Sequence, residues 1–234
     1  MKILKRVIIV LILVIICIGL AVGIPGYQMY KKAIDEISIE DKIASIKEEK
    51  GKNYTGFDDL PKMYVDAVVA AEDHRFYNHK GVDFISIARA IYNDIRKKEL
   101  AEGGSTITQQ LAKNIYFSQE RTSKRKIAEI FMAVQLEKNC SKDQILELYA
   151  NTSYFGDGYY TVKEACKGYF DKNLDKMTDY ECIMLAGIPN APSVYAPTKN
   201  PDLAKQRLNQ VIKKMIANDY LTEEEADKIL EQGG

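Results

Sequence analysis

The sequence has no excess of charge of either sign, because its 33 lysines and arginines balance 33 aspartates and glutamates. A protein that binds nucleic acid along a long footprint needs a basic excess to neutralise the phosphates. The balance argues against nucleic acid as the main partner. Any contact with phosphate is expected to be local.

Residues that ligate metals or form disulfides are also scarce. The two histidines, His74 and His79, are five residues apart with no third ligand evident nearby, which argues against zinc. One cysteine of four, Cys17, lies in an apolar run. The other three are Cys140, Cys166 and Cys182. This odd set without Cys-x-x-Cys spacing is not a disulfide scaffold, and buried free thiols are expected, with a single bridge left open.

One long hydrophobic run is present, from Val7 to Ile24, and at about 1.5 Å per residue it nearly spans a bilayer core. Basic residues precede the run, so the positive-inside rule places the N-terminus in the cytoplasm and the remainder outside. A cleaved signal peptide is the alternative. The predicted organisation is a cytoplasmic N-terminus (1–6), a transmembrane helix (7–26), a stalk or linker (27–57) and a domain (58–234).

Helical periodicity dominates the rest of the chain. Ile107, Leu111 and Ile115 recur at a spacing near four, which is typical of one buried helix face. Capping-box patterns predict three further helix starts: Ser141 with Gln144, Thr178 with Glu181, and Thr222 with Glu225. Alternating strand patterns are scarce, and only residues 154–162 suggest a short hairpin or an irregular loop. The sequence therefore predicts a mainly α fold.

The segment Glu72–Gly81 is dense in ionisable residues and follows an apolar helix. A carboxylate at such a helix end lies where burial can tune it for general-base work. The alternative is an ordinary helix C-terminus, with His74 and Arg75 placed favourably against the helix dipole. The segment alone does not decide between the two.

The segment Gly103–Asn114 begins with two glycines and continues into a helix capped by Ser105 or Thr106. Free amides at the start of a helix form an anion site. Gln110 and Lys113 project from nearly one face, where they are expected to meet a phosphate or a sugar. The alternative is ordinary capping with the side-chain amides on a solvent face.

Four basic residues lie between positions 121 and 126 of this otherwise neutral chain. Arg125 and Glu129 are one helical turn apart, which on its own suits a simple surface salt bridge. The grouping instead favours a phosphate-bearing ligand held by charge-assisted hydrogen bonds. Glu129 is then expected to orient the cations or to hold a divalent metal against a pyrophosphate.

Together these segments resemble the peptidoglycan glycosyltransferases of glycosyltransferase family 51. This is the transglycosylase module of class A penicillin-binding proteins and their monofunctional relatives. The similarity runs from about Leu60 to Met215. The matching segments are Glu72–Gly81, Gly103–Asn114, Arg125–Glu129, Ile145–Asn151 with Tyr154–Gly156, and Gln206–Arg207. Departures occur at Gln206, at Tyr160–Val162 and at residues 163–166, all outside the proposed acid/base set.

The resemblance implies a lysozyme-like α lobe with a smaller, membrane-proximal jaw lobe, and a monofunctional enzyme because the chain ends at Gly234. The implied reaction polymerises lipid II into glycan strands by inverting transfer and releases polyprenyl pyrophosphate. The implied catalytic residues are Glu72, as the base, and Glu129, near a possible Mg or Mn ion. The implied substrate-binding residues are His79, Ser105, Thr106, Gln110, Lys113, Asn114, Arg125 and Lys126. Among these, His79 is expected to support the Glu72 loop rather than transfer a proton.

The implied location is a bacterial plasma membrane, with the catalytic domain on its outer side. Partners are expected to be lipid II, the growing glycan strand, the membrane and other cell-wall synthesis proteins, with no organic cofactor. Two rival functions stay open. One is a lysozyme-like hydrolase that cuts the same polymer with the same carboxylates. The other is a catalytically silent, membrane-bound scaffold of the cell-wall machinery.

Overall fold

The computed structural model describes residues 2–89, 104–118, 120 and 122–232, with side chains from residue 19 onward. All regular secondary structure in these ranges is helical, and the predicted mainly α fold is confirmed. The helices are α1 (Lys2–Glu36), α2 (Ile39–Lys50), α3 (Lys62–Glu72), α4 (Ile107–Tyr116), α5 (Ser123–Asn139), α6 (Lys142–Thr152), α7 (Val162–Phe170), α8 (Asp179–Gly187), α9 (Pro192–Tyr195), α10 (Pro201–Ala217) and α11 (Glu223–Glu231). Short 3₁₀ turns are Gly51–Asn53, Phe57–Asp59, Phe76–Asn78, Leu174–Lys176 and Ile188–Asn190, and residues 84–89 are also helical.

The three predicted capping boxes are all present, at the starts of α6, α8 and α11. In each capping box the hydroxyl of the cap residue accepts a hydrogen bond from a backbone amide that would otherwise be unpaired. The side chain three residues later accepts a hydrogen bond from the backbone amide of the cap residue, so two donors are satisfied at once. Residues 154–162 form the irregular loop rather than the hairpin. Phe155 N–H donates to the Tyr159 carbonyl across a turn in which Gly156, Asp157 and Gly158 have positive φ.

Helix α3 lies at the centre of the fold, between α8 and α10. Seven of its 11 residues are buried, because apolar side chains surround it on most sides. Helix α4 packs against both α5 and α6, and the predicted face of Ile107, Leu111 and Ile115 is buried. The C-terminal end of α3 is thereby brought beside α4 and α10, which come from distant parts of the sequence.

The segment before α3 is attached to α6 by polar contacts. Asn151 accepts from Thr55 N–H at 2.9 Å and donates to the Thr55 carbonyl at 2.8 Å. The Glu147 carboxylate accepts from the Tyr54 hydroxyl and forms an ion pair with Lys47 at 3.1 Å. Burial opposes its charge, but these partners hold the pKa of Glu147 below its ordinary value. The contacts fix the entry into α3.

Helix α1 continues unbroken from Lys2 to Glu36, and its second half packs along α5. Helix α2 follows directly and buries Ile39 and Ile46 in the core. Within the described residues, no helix combines the length and the apolar character that a membrane span needs. The transmembrane helix predicted for residues 7–26 falls mostly on positions whose side chains lie outside the described part. It stays a prediction, as do the domain boundaries.

The three cysteines with described side chains are free and buried, as the sequence predicted. Burial raises the pKa of Cys140 and of Cys166 to about 11, and that of Cys182 to about 12. The thiolate is the reactive form of cysteine. These thiols are therefore inert packing groups at neutral pH.

Candidate active site

Glu72 is the last residue of α3, and its side chain is only 6% exposed. One carboxylate oxygen, Oε1, pairs with Arg207 Nη2 at 3.1 Å. The other, Oε2, accepts a hydrogen bond from Gln110 Nε2 at 2.8 Å. An ionised carboxylate has about four acceptor positions, so these two contacts leave capacity for a substrate hydroxyl.

Arg207 comes from α10 and is itself held on two sides. Its Nε donates to the Gly187 carbonyl at 3.3 Å, and its guanidinium lies 5.7 Å from the centre of the Tyr195 ring. The sequence placed Arg207 in a motif but gave it no role at the site. Because α10 packs against α3, the buried Arg207 guanidinium lies against the buried Glu72 carboxylate.

Gln110, which was predicted to bind substrate, contacts Glu72. The Tyr149 hydroxyl donates to Gln110 Oε1 at 3.4 Å, which turns the Gln110 amide nitrogen toward the carboxylate. Burial raises the pKa of Tyr149 well above its ordinary value, so this hydroxyl stays a donor. The side chains of Arg207 and Gln110 together fix the direction of the Glu72 carboxylate.

Asp73, the residue after Glu72, contacts the N-terminus of α4. The Asp73 carboxylate accepts from Ile107 N–H at 3.0 Å, and it lies 2.9 and 3.0 Å from His79 Nε2. The Ile107 amide at the start of α4 therefore already has an anionic partner within this protein. His79 Nδ1 accepts from Gly81 N–H at 3.2 Å, so the proton lies on Nε2. Both ring nitrogens are thus used internally, and His79 supports the Glu72 loop.

Thr106 is the N-cap of α4, and it is buried rather than open to a ligand. Its hydroxyl donates to the Gly81 carbonyl at 2.7 Å and accepts from Gln109 N–H at 3.1 Å. The side chain predicted to contact substrate therefore joins the segment after Glu72 to α4. Gly103, at the start of this motif, lies outside the described residues.

Replacing Gly81 with alanine is expected to destabilise the fold strongly. Gly81 has φ +90°, and an added Cβ would lie 2.8 Å from the backbone carbonyl of Ala133. Strain and overlap together should lower the free energy of unfolding by about 3 kcal/mol or more. Gly158→Ala is the matched control, because Gly158 has φ +85° but open space around it. Its cost should be only about 1–2 kcal/mol. Equal losses in denaturant unfolding would contradict the close approach.

A basic cluster, consisting of Lys113, Arg125 and Lys126 around Glu129, lies where α4 meets α5. The Glu129 side chain is 3% exposed and forms ion pairs with Arg125 Nε at 2.7 Å and with Lys126 Nζ at 3.2 Å. Lys126 Nζ also donates to Ser105 Oγ at 2.7 Å. Three cations against one carboxylate leave a local positive excess. Ser105, Arg125, Lys126 and Glu129 are thus brought together as predicted, whereas Arg121 lies outside the described residues.

The pKa of Lys113 responds to charges of both the basic cluster and Glu72. Burial lowers its pKa below the ordinary value of 10.5, and the charges that act on it include Glu129, Arg125, Lys126 and Glu72. No hydrogen bond or ion pair of Lys113 is found among the described residues. The neighbouring Asn114 is half-buried, and the described part of the chain likewise shows no hydrogen bond of its side chain. An anionic ligand would stabilise the charged form of Lys113.

Binding of inorganic pyrophosphate is expected to weaken as the pH rises, earlier than an unperturbed lysine would predict. Because the lowered pKa lets Lys113 lose its proton below 10.5, its charge is lost before that pH is reached. A charge-assisted contact is worth about 1.5–3 kcal/mol, or about 10- to 100-fold in affinity. Calorimetric titration from neutral to alkaline pH measures the decline. Lys113→Arg, which keeps its charge, should hold its affinity to higher pH, and parallel curves would contradict the assignment.

Glu129 does not fit the role of a metal ligand in this arrangement. Its two oxygens already face Arg125 and Lys126, and a cation would have to compete with both side chains. In the ranges that the structure describes, no group of three or more histidine, cysteine, aspartate or glutamate side chains is placed to hold a metal. The donors of the basic cluster suit an anion such as a phosphate.

Two open surface pockets lie elsewhere, with volumes of about 710 and 600 Å³. They are formed by residues 53–61 and 158–177 and contain none of the predicted site residues. Neither pocket includes the paired carboxylate or the basic cluster. Charge and hydrogen bonding therefore identify the candidate site.

The helical fold and this site belong to a known class of enzyme domain. The chain is a member of the transglycosylase family, whose model matches residues 40–216. That range includes Glu72, the basic cluster and Arg207. The predicted resemblance to this family is confirmed.

Individual relatives are penicillin-binding proteins. The chain is 42% identical over 195 residues to penicillin-binding protein 1A of Neisseria flavescens, covering 83% of this chain and 24% of the relative. It is 42% identical over 186 residues to penicillin-binding protein 1F of Bacillus subtilis (strain 168), covering 80% and 26%. The chain thus spans about a quarter of the length of these relatives. A crystal structure of penicillin-binding protein 1A from Haemophilus influenzae aligns with a TM-score of 0.46 at 24% identity, covering 76% of this chain and 17% of that one.

Proposed function

We propose that this protein is a peptidoglycan glycosyltransferase that polymerises lipid II into glycan strands by inverting transfer. The observation that carries the proposal is the buried Glu72 carboxylate, held by Arg207 and Gln110 and coupled through Lys113 to a basic cluster. A fixed base beside an anion site is what transfer from a sugar pyrophosphate requires. Membership of the transglycosylase family supports the same reaction.

Glu72 is the general base in this mechanism. Its carboxylate takes the proton from the 4-hydroxyl of the acceptor sugar as that oxygen attacks the anomeric carbon of the growing chain. The new carbon–oxygen bond forms on one face while the bond to the pyrophosphate oxygen breaks on the other, which inverts the configuration. The Arg207 guanidinium stabilises the ionised carboxylate, and Gln110 keeps its direction, so little reorganisation is needed at the moment of transfer.

The basic cluster stabilises the departing polyprenyl pyrophosphate. Lys113, Arg125 and Lys126 supply charge-assisted hydrogen bonds as negative charge develops on the leaving group. Lys126 would exchange its hydrogen bond to Ser105 for one to a phosphate oxygen. Glu129 holds Arg125 and Lys126 in place and is a positioning residue. A Mg or Mn ion, if it takes part, would accompany the pyrophosphate and add to the same stabilisation.

Further proposals concern architecture and location. A lysozyme-like lobe and a smaller jaw lobe would enclose the substrate groove, and the first part of α1 would anchor the chain in a bacterial plasma membrane. A lipid-linked substrate confined to that membrane is encountered far more often by a tethered enzyme. The growing glycan strand and other cell-wall synthesis proteins are the expected partners, with the catalytic domain on the outer side.

The decisive experiment incubates the full-length protein with lipid II, with and without a chelator. Glycan polymer and free polyprenyl pyrophosphate are the expected products. Fragmentation of preformed glycan without polymerisation would identify the hydrolase instead, and no chemistry on either substrate would favour the scaffold. Loss of polymer in the chelator arm, restored by Mg or Mn, would establish the metal requirement, whereas an unchanged rate would remove it.

A further inference from the structure

Helix α1 approaches α5 closely at Gly26. A Cβ atom at this position would lie 2.5 Å from Ile127 Cβ, 2.6 Å from Ile127 Cγ2 and 2.9 Å from the Lys124 carbonyl oxygen. Real side chains do not approach so closely, so the contact exists because residue 26 has no side chain. Gly23, one turn earlier on the same helix, has no atom within 4 Å of its would-be Cβ. The close approach is therefore local to Gly26.

The contact of Gly26 with α5 is called here the seat of α1. Aromatic side chains extend this seat along the two helices. The Phe131 ring lies 5.2 Å from Tyr27, edge to face, and 5.8 Å from Tyr30, nearly parallel. From Gly26–Ile127 to Tyr30–Phe131 the contact advances by one turn on both helices, so they run in the same direction. Ala33 and Ile34 of α1 also pack against the core. Helix α1 is thus held over about two turns, which fixes its direction as well as its position.

The face of α5 that points away from α1 is tightly packed, so α5 cannot shift easily in that direction. Ala128, Met132, Ala133 and Leu136 are fully buried in the interior, and α5 also packs against α4. The same helix carries most of the basic cluster. Because protein interiors are close-packed, added bulk at position 26 would displace α1 and leave α5 and the site nearly unchanged.

We infer that Gly26 is a positioning residue that fixes the orientation of α1 relative to the candidate active site. The inference rests on the proposed function, in which the first part of α1 lies in the membrane and the lipid-linked substrate is confined to the same membrane. A rigid seat on α5 then sets how far, and at what angle, Glu72 and the basic cluster stand from the lipid surface. The substrate pyrophosphate reaches the cluster only when that geometry is correct.

The test compares Gly26→Leu with Gly23→Leu in full-length protein, because both changes add the same apolar side chain to the same helix. Each variant polymerises lipid II in detergent micelles and, separately, in reconstituted lipid vesicles. Gly26→Leu is expected to keep its rate in detergent within about twofold and to lose about tenfold or more in vesicles, since small misplacements of reactants cost that much. Gly23→Leu should match the parent in both settings.

Two results would overturn the inference. If Gly26→Leu polymerises as fast as the parent in vesicles, the seat does not control access to the substrate. If it loses activity equally in detergent, residue 26 acts on folding or on the site itself, and not on orientation. A parent protein that makes no polymer in either setting would instead overturn the proposed function, so the two failures are distinguishable.

Discussion

Glu72→Gln is expected to lower the rate of lipid II polymerisation by about 10²- to 10⁴-fold, the usual contribution of a positioned general base. Glutamine has nearly the same shape and can still face Gln110 and Arg207, but it cannot accept a proton from the acceptor hydroxyl. The loss should appear in kcat, because the binding groups of the basic cluster are unchanged. Single-turnover polymerisation with saturating lipid II measures it.

Two controls accompany that variant. Thermal unfolding should show that Glu72→Gln remains folded, and pyrophosphate affinity should be close to that of the parent, since Lys113 and Arg125 are retained. Glu224→Gln removes an exposed carboxylate from α11, where it pairs with Lys228 at the surface, and it should leave the rate unchanged. A Glu72→Gln protein that polymerises at the parental rate would disprove the assignment of the base.

Arg207→Met is expected to lower the free energy of unfolding by about 3–5 kcal/mol, because it leaves the Glu72 carboxylate buried without its cation. The two side chains are only 9% and 6% exposed, so water cannot replace the lost partner readily. The variant also gives up the hydrogen bond to the Gly187 carbonyl. Denaturant unfolding measures the loss, and polymerisation should fall with it because the carboxylate is no longer held.

Lys205→Met is the matched control for this change, because it removes a positive charge from an exposed position on the same helix. Its effect should stay within about 0.5 kcal/mol. The double variant Glu72→Gln with Arg207→Met should be more stable than Arg207→Met alone, since no unpaired buried charge remains. Additive losses in this cycle would show that the pair does not interact.

The sequence named candidate site residues, and the structure adds which groups each of them contacts. Ser105, Arg125, Lys126 and Glu129 lie together, and Glu72 contacts Gln110 and Arg207. Gln110 and Thr106 were assigned to substrate, and their polar atoms contact other parts of the protein, whereas His79 was expected to support the Glu72 loop and its ring nitrogens contact Asp73 and Gly81. Amide, hydroxyl and imidazole groups serve equally well for ligand binding and for internal hydrogen bonds, so the residue type alone cannot distinguish the two uses.

Interactions between neighbouring residues account for the features that could be predicted from the sequence alone. Hydrophobic spacing and the capping boxes act within about four residues, so the helices and their starts follow from neighbouring side chains. The pairing of Glu72 with Arg207 joins residues 135 positions apart. The Asp73 carboxylate at the α4 N-terminus and the seat of Gly26 on α5 are likewise contacts between separate helices. Only the packing of those helices decides such contacts, because it sets which distant groups are buried together and must satisfy one another.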